Sequence, residues 1–312
     1  MNHPFQKRIG FNGDLREISR RVCADYGLGS FVSSKVADSG YEDLNFCLET
    51  AKGKYFVKVF NENRTENECY RLINIINKAR LAGVKTPGLL ENHSGFLDSF
   101  TLQGALIRLL VLEFVQGKTF FDLHCFPNAS ETKFLARQAA LINSINYRPS
   151  LIYDEWALEN FPAEFEKKKK FLAKKDLALI KAVLEEYESI NPKKLPHAFI
   201  HADMHVGNIL RGKGIWVIDF AVANYSPRIY ELAVLAMGGL QKKNIRLALE
   251  EYQKHISLSE KELEAFPILT KAASAMYLLL TNYHKKALHS RTKENEYWLD
   301  KSRQALLVET NH

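Results

Sequence analysis

Between Ala198 and Phe220 the chain reads AFIHADMHVGNILRGKGIWVIDF, strand-like apolar runs and a tight turn set among segments of helical spacing. Within it, HADMHVGN crowds two histidines, an aspartate and an asparagine against Ile200, Ile209 and Leu210. Buried polar groups need partners, so such a loop serves chemistry, holds an ion or satisfies a turn. With Arg211–Gly214 as the hairpin turn, Leu210 faces Ile215 and Asn208 faces Val217. Asp219 then leaves its strand one step past the pairing, close to Asn208, and Asp203 lies in the loop ahead of the hairpin. Asp203, Asn208 and Asp219 therefore converge at one end of a small sheet. One carboxylate and one amide oxygen suit a Mg²⁺ ion that keeps water and phosphate oxygens as its other ligands. The remaining carboxylate is free to accept a proton from a hydroxyl. A rival reading, a metal centre of alternating His201, Asp203 and His205, leaves Asn208 and Asp219 without a purpose.

The surrounding chain changes character once. A helical opening from Asp14 to about Tyr26 precedes short β-prone runs over residues 31–60, FVSSKVADSG, YEDLNFCLET and KYFVKVF. ENECYRLINIINKARLAG keeps helical spacing, and two strand-like runs follow around Gly95–Leu102 and Ala105–Phe114. From Phe120 onward the pattern is mostly helical apart from the segment above. The expectation is an α+β chain of two lobes, a small antiparallel sheet with one main helix and then a mostly helical lobe. EFVQG, residues 113–117, is the natural hinge.

Composition adds exclusions. MNHPFQKRIGFNGDLREI lacks a signal peptide's apolar stretch, and ALIRLLVLEFV and AMYLLLTNY are too short or too interrupted to span a bilayer. No membrane association and a cytoplasmic location are expected. The four cysteines stand far apart without a C-x-x-C pair, which favours buried free thiols. A net charge of +7 favours an anionic ligand such as a nucleotide triphosphate. EKKKKFLAKKD is expected to be a solvated helix face rather than a nucleic-acid contact, and oligomeric state is not legible.

His201-x-Asp203-x-x-x-x-Asn208 followed by Ile218-Asp219-Phe220 resembles the catalytic loop and metal-binding aspartate of the kinase superfamily. The wording is closest to the aminoglycoside phosphotransferase and choline kinase branch. DSGYEDLNF, LLVLEFVQGKTF and PRIYELAV look most like its homoserine kinase and hydroxylysine kinase relatives. The resemblance covers roughly residues 15–300. It departs at Ala202 and Ala221, where glycine is usual, and SGYED is not a G-x-G-x-x-G turn.

The resemblance implies a protein-kinase-like fold with a nucleotide-binding lobe (1–112), a hinge (113–117) and a helical lobe carrying the catalytic loop and acceptor site (118–312). It implies ATP as phosphoryl donor, Mg²⁺ as cofactor and a small-molecule hydroxyl as acceptor, with an amine on that molecule favoured. Asp203 would receive the hydroxyl proton, and Asn208 and Asp219 would hold the metal. Lys58, in a strand apolar on both faces, would contact the phosphates, paired by Glu68, with Glu66 and Glu62 as competitors. Ser39 and nearby backbone amides would hold phosphates, and the backbone of Glu113 and Val115 would meet the adenine edge. Glu231 would brace the catalytic loop through backbone amides, His201 would be an architectural hydrogen-bonder, and His205 would face the cleft or solvent. Asp122 and the Asp154-Glu155-Trp156 cluster are candidates to meet the amine. A pseudokinase acting as a nucleotide- or partner-binding module is the alternative, and intact Lys58, Asp203, Asn208 and Asp219 speak against it.

Overall fold

The computed structural model describes residues 4–37 and 42–309. The chain divides into two compact units, the first comprising residues 1–81 with 85–116 and the second 82–84 with 117–312.

In the first unit Asp14 caps helix α1 (Leu15–Asp25) in a reciprocal box with Glu17. Strands β1 (Phe31–Val36), β2 (Leu44–Thr50), β3 (Gly53–Val59), β4 (Leu89–Leu90), β5 (Asp98–Leu102) and β6 (Ala105–Glu113) form one antiparallel sheet, with helix α2 (Glu66–Leu81) between β3 and β4 in sequence. The order is β1-β2-β3-β6-β4, with β5 also on β6. Strict alternation along LNFCLET turns Leu44, Phe46 and Leu48 inward, where they pack with Val57, Val59, Leu109, Val111 and the α1 side chains Ile18 and Val22. Lys58 lies in the middle of this sheet, opposite Asn45 on β2 and Leu110 on β6.

The second unit holds β7 (Gly117–Thr119), helices α3 (Ala129–Asn143), α4 (Phe161–Lys168) and α5 (Lys174–Ser189), strands β8 (His197–Ile200), β9 (Ile209–Gly212), β10 (Gly214–Val217) and β11 (Asn224–Pro227), and helices α6 (Ile229–Val234), α7 (Ile245–Gln253), α8 (Glu260–Ala287) and α9 (Lys293–Glu309). The strands make two small sheets, β10-β9-β7 and β11-β8. Neither β7 nor β11 was expected from the sequence. GKT and NYSP are too short and polar to carry a strand pattern, and they become strands only because β9 and β8 offer unpaired edges.

The hairpin closes one residue tighter than expected. Gly212 pairs with Gly214 and Ile215 with Arg211, so Lys213 stands alone at the tip. Gly214 makes this possible with φ +142°, a conformation that side-chain-bearing residues rarely adopt. The shift places Asn208 opposite Ile218, whose N–H donates to the Asn208 carbonyl at 3.0 Å.

Helix α8 corrects another expectation. At 28 residues it contains a window long and apolar enough to cross a membrane by length and composition. That window is mostly buried in the unit, where α8 packs against α5, α6 and α9, so its apolar surface serves the core. All four cysteines are free, Cys23 and Cys69 buried, Cys47 and Cys125 half-buried. Within the lysine run, Lys168 is not solvated. It is buried against Glu155 and Glu164, while Lys167, Lys169 and Lys170 remain exposed.

Candidate active site

Strand β8 ends at Ile200 and delivers HADMHVGN as a loop whose backbone is held from below by a single buried carboxylate. Glu231, in the first turn of α6, accepts from the N–H of His201 at 2.5 Å and of Ala202 at 3.4 Å. Its other oxygen, Oε1, has no hydrogen-bond partner among the described residues. The loop-bracing role expected of Glu231 is thus present. Burial pushes its carboxyl up to about 7, against the two amide bonds.

Folded Glu231 therefore keeps its proton to higher pH than the unfolded chain does. Its contribution to stability is whole below the unfolded value of 4.5 and is lost as pH rises through about 7. A rise of this size corresponds to roughly 3 kcal/mol. Chemical denaturation of the parent and of Glu231→Gln should show the parent losing ground to the variant between pH 5 and pH 8. A stability difference independent of pH would contradict this assignment.

His201 is fully buried and ties the loop to the strand after the hairpin. Its Nε2–H donates to the Ile218 carbonyl at 3.1 Å, and its Nδ1 accepts from the Asp203 N–H at 3.2 Å. Both ring nitrogens are spent, so His201 is neutral and architectural, and burial lowers its pKa accordingly. This also removes the histidine–aspartate–histidine metal centre. Among the described residues no group of three His, Cys, Asp or Glu side chains could hold a metal ion.

Between His201 and Asp203 stands Ala202 at φ +68°, a left-handed conformation that costs a side-chain-bearing residue about 1 kcal/mol. Glycine at the corresponding position of the resembling family would carry no such strain. Asp219 also sits at positive φ, +63°, which an aspartate tolerates better. The two left-handed residues stand one on each side of the segment that carries Asn208, Ala202 shortly after β8 and Asp219 shortly after β10.

The carboxylate of Asp203 is gripped on both oxygens. Oδ1 accepts from the Tyr277 hydroxyl at 2.7 Å and faces His205 Nε2 at 3.2 Å, and Oδ2 accepts from Asn208 Nδ2 at 2.6 Å. Asn208 Nδ2 also donates to the Asp203 carbonyl at 3.0 Å, which orients the amide and leaves its Oδ1 outside these two bonds. The Gly207 N–H donates to His205 Nδ1 at 3.0 Å, so the imidazole proton is on Nε2 and points at Asp203. Burial pushes the Asp203 carboxyl up, but His205 and the Tyr277 bond bring it below its ordinary value. It is a carboxylate at neutral pH.

Sequence reasoning missed both donors. His205 is buried rather than turned to solvent, and Tyr277 lies on α8, 74 positions from Asp203. Gly238 leaves room for His205 and Trp298, because a Cβ there would stand 2.7 Å from that of His205 and 3.0 Å from the Trp298 ring.

Asp203, Asn208 and Asp219 are thus held by the two connected loops at the end of β9 and β10. Asn208 offers an amide oxygen and Asp219 an exposed carboxylate, hard oxygen donors of the kind Mg²⁺ takes when phosphate oxygens and water complete its shell.

In the first unit the carboxylate on Lys58 is not the expected one. Lys58 Nζ donates to Asp43 Oδ2 at 3.1 Å, and both side chains are buried. Asp43 Oδ1 accepts from the Asn61 N–H at 3.0 Å and from Arg64 Nε at 3.1 Å. Burial pushes the Asp43 carboxyl up, and Lys58 with Arg64 brings it below the ordinary range.

Glu68 is taken up elsewhere. Its Oε2 accepts from the Thr65 N–H at 2.7 Å and the Thr65 hydroxyl at 2.8 Å, while Thr65 Oγ1 accepts from the Glu68 N–H at 3.3 Å. Thr65-Glu66-Asn67-Glu68 is a capping box, and the carboxylate that serves the helix start is turned from the sheet. Asp43→Asn should therefore cost about 3 kcal/mol of folding stability, because it unbalances a buried charge pair. Glu68→Gln should cost about 1 kcal/mol, the worth of a cap. Equal losses on denaturant unfolding would refute this division of roles.

Ser39 lies outside the described residues. Glu113 closes β6, and its carboxylate accepts from the Gly88 N–H at 2.8 Å and Arg80 at 3.0 Å, with half-buried Val115 two residues on. Among the amine candidates, Glu155 is engaged by Lys168 and by His284 at 2.8 Å, and Asp122 bonds Thr119 in an exposed turn. Asp154 accepts from the Trp156 N–H at 2.7 Å. The Trp156 ring packs 5.1 Å from that of Tyr277, which sets this cluster beside the Asp203 network.

Residues 34–258 match the family described as "Phosphotransferase enzyme family". The homoserine kinase of Methylorubrum populi is 25% identical over 278 residues, 84% of each chain. Among solved structures, a microcompartment-associated aminopropanol kinase is similar at a TM-score of 0.73 and 12% identity, over 94% of this chain and 95% of that one. An amicoumacin kinase in complex with AMP-PNP, Ca²⁺ and Ami is similar at a TM-score of 0.70 and 13% identity, over 97% of this chain and 96% of that one. The α+β fold is therefore kinase-like.

Proposed function

The chain belongs to the phosphotransferase enzyme family, and from that premise we propose that it moves the γ-phosphoryl group of ATP to the hydroxyl of a small amine-bearing alcohol, a hydroxy amino acid such as homoserine first among them. The observation that carries this reading is the ionised Asp203 carboxylate, clamped by Asn208, Tyr277 and His205.

Asp203 orients the acceptor hydroxyl and receives its proton as the phosphoryl group transfers. Asn208 and Asp219 would hold Mg²⁺, which would supply charge neutralisation at the phosphates. Lys58, kept in place by Asp43, meets phosphate oxygens. Ser39 and its neighbours' amides are assigned to the phosphates, and the Glu113 and Val115 backbone to the adenine edge. Most of the rate enhancement comes from positioning and electrostatics.

Homoserine and aminopropanol, named for relatives, both carry an amine with their hydroxyl. The half-buried Trp156 ring beside Tyr277 offers an ammonium a π face. A protein substrate is disfavoured, because α6 begins at Ile229 and β11, Asn224–Pro227, takes half of the short stretch that follows Phe220, which leaves little room for a peptide-docking segment. ADP release from Mg-ATP, measured with homoserine, hydroxylysine, choline, aminopropanol, neutral sugars and peptides, tests the assignment. Turnover should be confined to the amine-bearing alcohols. Turnover with neutral sugars or peptides alone would overturn the acceptor class.

A further inference from the structure

We propose that Tyr277 is a positioning residue for the reaction, fixing the orientation of Asp203 from a helix 74 positions away in sequence; the proposal rests on the assignment of Asp203 as the proton acceptor. The Tyr277 side chain is 5% exposed, and its hydroxyl is directed at Asp203 Oδ1 at 2.7 Å. His205 Nε2 faces the same oxygen at 3.2 Å. With Oδ1 taken by two donors, rotation of the carboxylate about its Cβ–Cγ bond is suppressed. Oδ2, shared only with Asn208 among these contacts, is the oxygen left for a substrate hydroxyl.

The tyrosine is itself immobilised. Its ring lies 5.1 Å from Trp156, 5.0 Å from Trp298 and 6.0 Å from His205, centroid to centroid. Trp298 in turn packs 4.7 Å from His205, so both donors to Oδ1 are set by one aromatic cluster. A buried tyrosine in an apolar helix would serve packing alone if its hydroxyl met a backbone carbonyl. Here it meets the one carboxylate assigned to the chemistry.

The test is steady-state kinetics of Tyr277→Phe and Tyr277→Leu with Mg-ATP and the best acceptor from the panel, alongside thermal unfolding. Phenylalanine keeps the ring and its packing and removes only the hydrogen bond to a charged group. That variant should lose about 10- to 100-fold in kcat, with the KM for ATP and the unfolding temperature near those of the parent. Leucine should lose kcat to a similar degree and lose thermal stability as well. A purely structural tyrosine gives the opposite split, parent-like kcat with phenylalanine and losses only with leucine. Parent-like kcat in Tyr277→Phe, or an equal loss in nucleotide affinity, overturns the proposal while leaving the kinase reading intact. A parent protein inert toward every acceptor overturns the proposed function and this role with it.

Discussion

Asp203→Asn is expected to lower kcat by about 100- to 10,000-fold, the usual contribution of a positioned general base, with nucleotide affinity near that of the parent. The substitution keeps the side chain's shape and removes the charge and the proton-accepting oxygen. It also sets an amide nitrogen against a donor whichever way it turns, toward Asn208 Nδ2 on one side or Tyr277 and His205 on the other. A stability loss of about 1–3 kcal/mol should accompany the kinetic defect for that reason. Unfolding curves separate the two effects, since the loss leaves a folded protein to assay. Retention of most of kcat would remove Asp203 from the mechanism.

The second large effect is at Asp219. Asparagine is the informative replacement, because it tolerates the φ of +63° that alanine would strain to hold. Losing this carboxylate should cost on the order of 100-fold in kcat, the magnitude for one preorganised charge-stabilising group. It should also abolish most of the stimulation of ATP binding by Mg²⁺. Calorimetric titration of ATP with and without Mg²⁺ in parent and variant reads this directly. Equal metal dependence in the two proteins would place the ion elsewhere.

The sequence disclosed most of what local chemistry fixes. The β-prone runs LNFCLET and KYFVKVF were legible as strands, and both form, the first alternating strictly and the second buried at consecutive positions toward its end, while the spacing from Asp203 to Asn208 and on to Asp219 pointed to the candidate site. The hairpin register was misjudged by one residue because the turn's tightness depends on Gly214's backbone rather than on apolar pattern. The convergence survived, since Asp219 follows directly on the residue opposite Asn208.

Partners made across long sequence distances were not legible. Tyr277 sits within AMYLLLTNY, where an aromatic reads as core, and nothing local says that its hydroxyl reaches Asp203. His205 was visible, but its orientation depends on Gly238 and Trp298. The partner of Lys58 was a different failure. The capping box Thr65-x-x-Glu68 was there in the letters and would have removed Glu68 from contention. Asp43 read as part of a turn, and only the β2–β3 register carries it to the lysine.

The reaction proposed for this chain joins the γ-phosphorus of ATP to an acceptor's hydroxyl oxygen. Phosphorus NMR of the protein incubated with Mg-ATP and homoserine or another amine-bearing alcohol follows every phosphorus atom at once. ADP and a new phosphomonoester should rise in equal amounts, at a rate that Asp203→Asn reduces to near background. ATP that stays intact with every acceptor, or that yields ADP and inorganic phosphate alone, would contradict it.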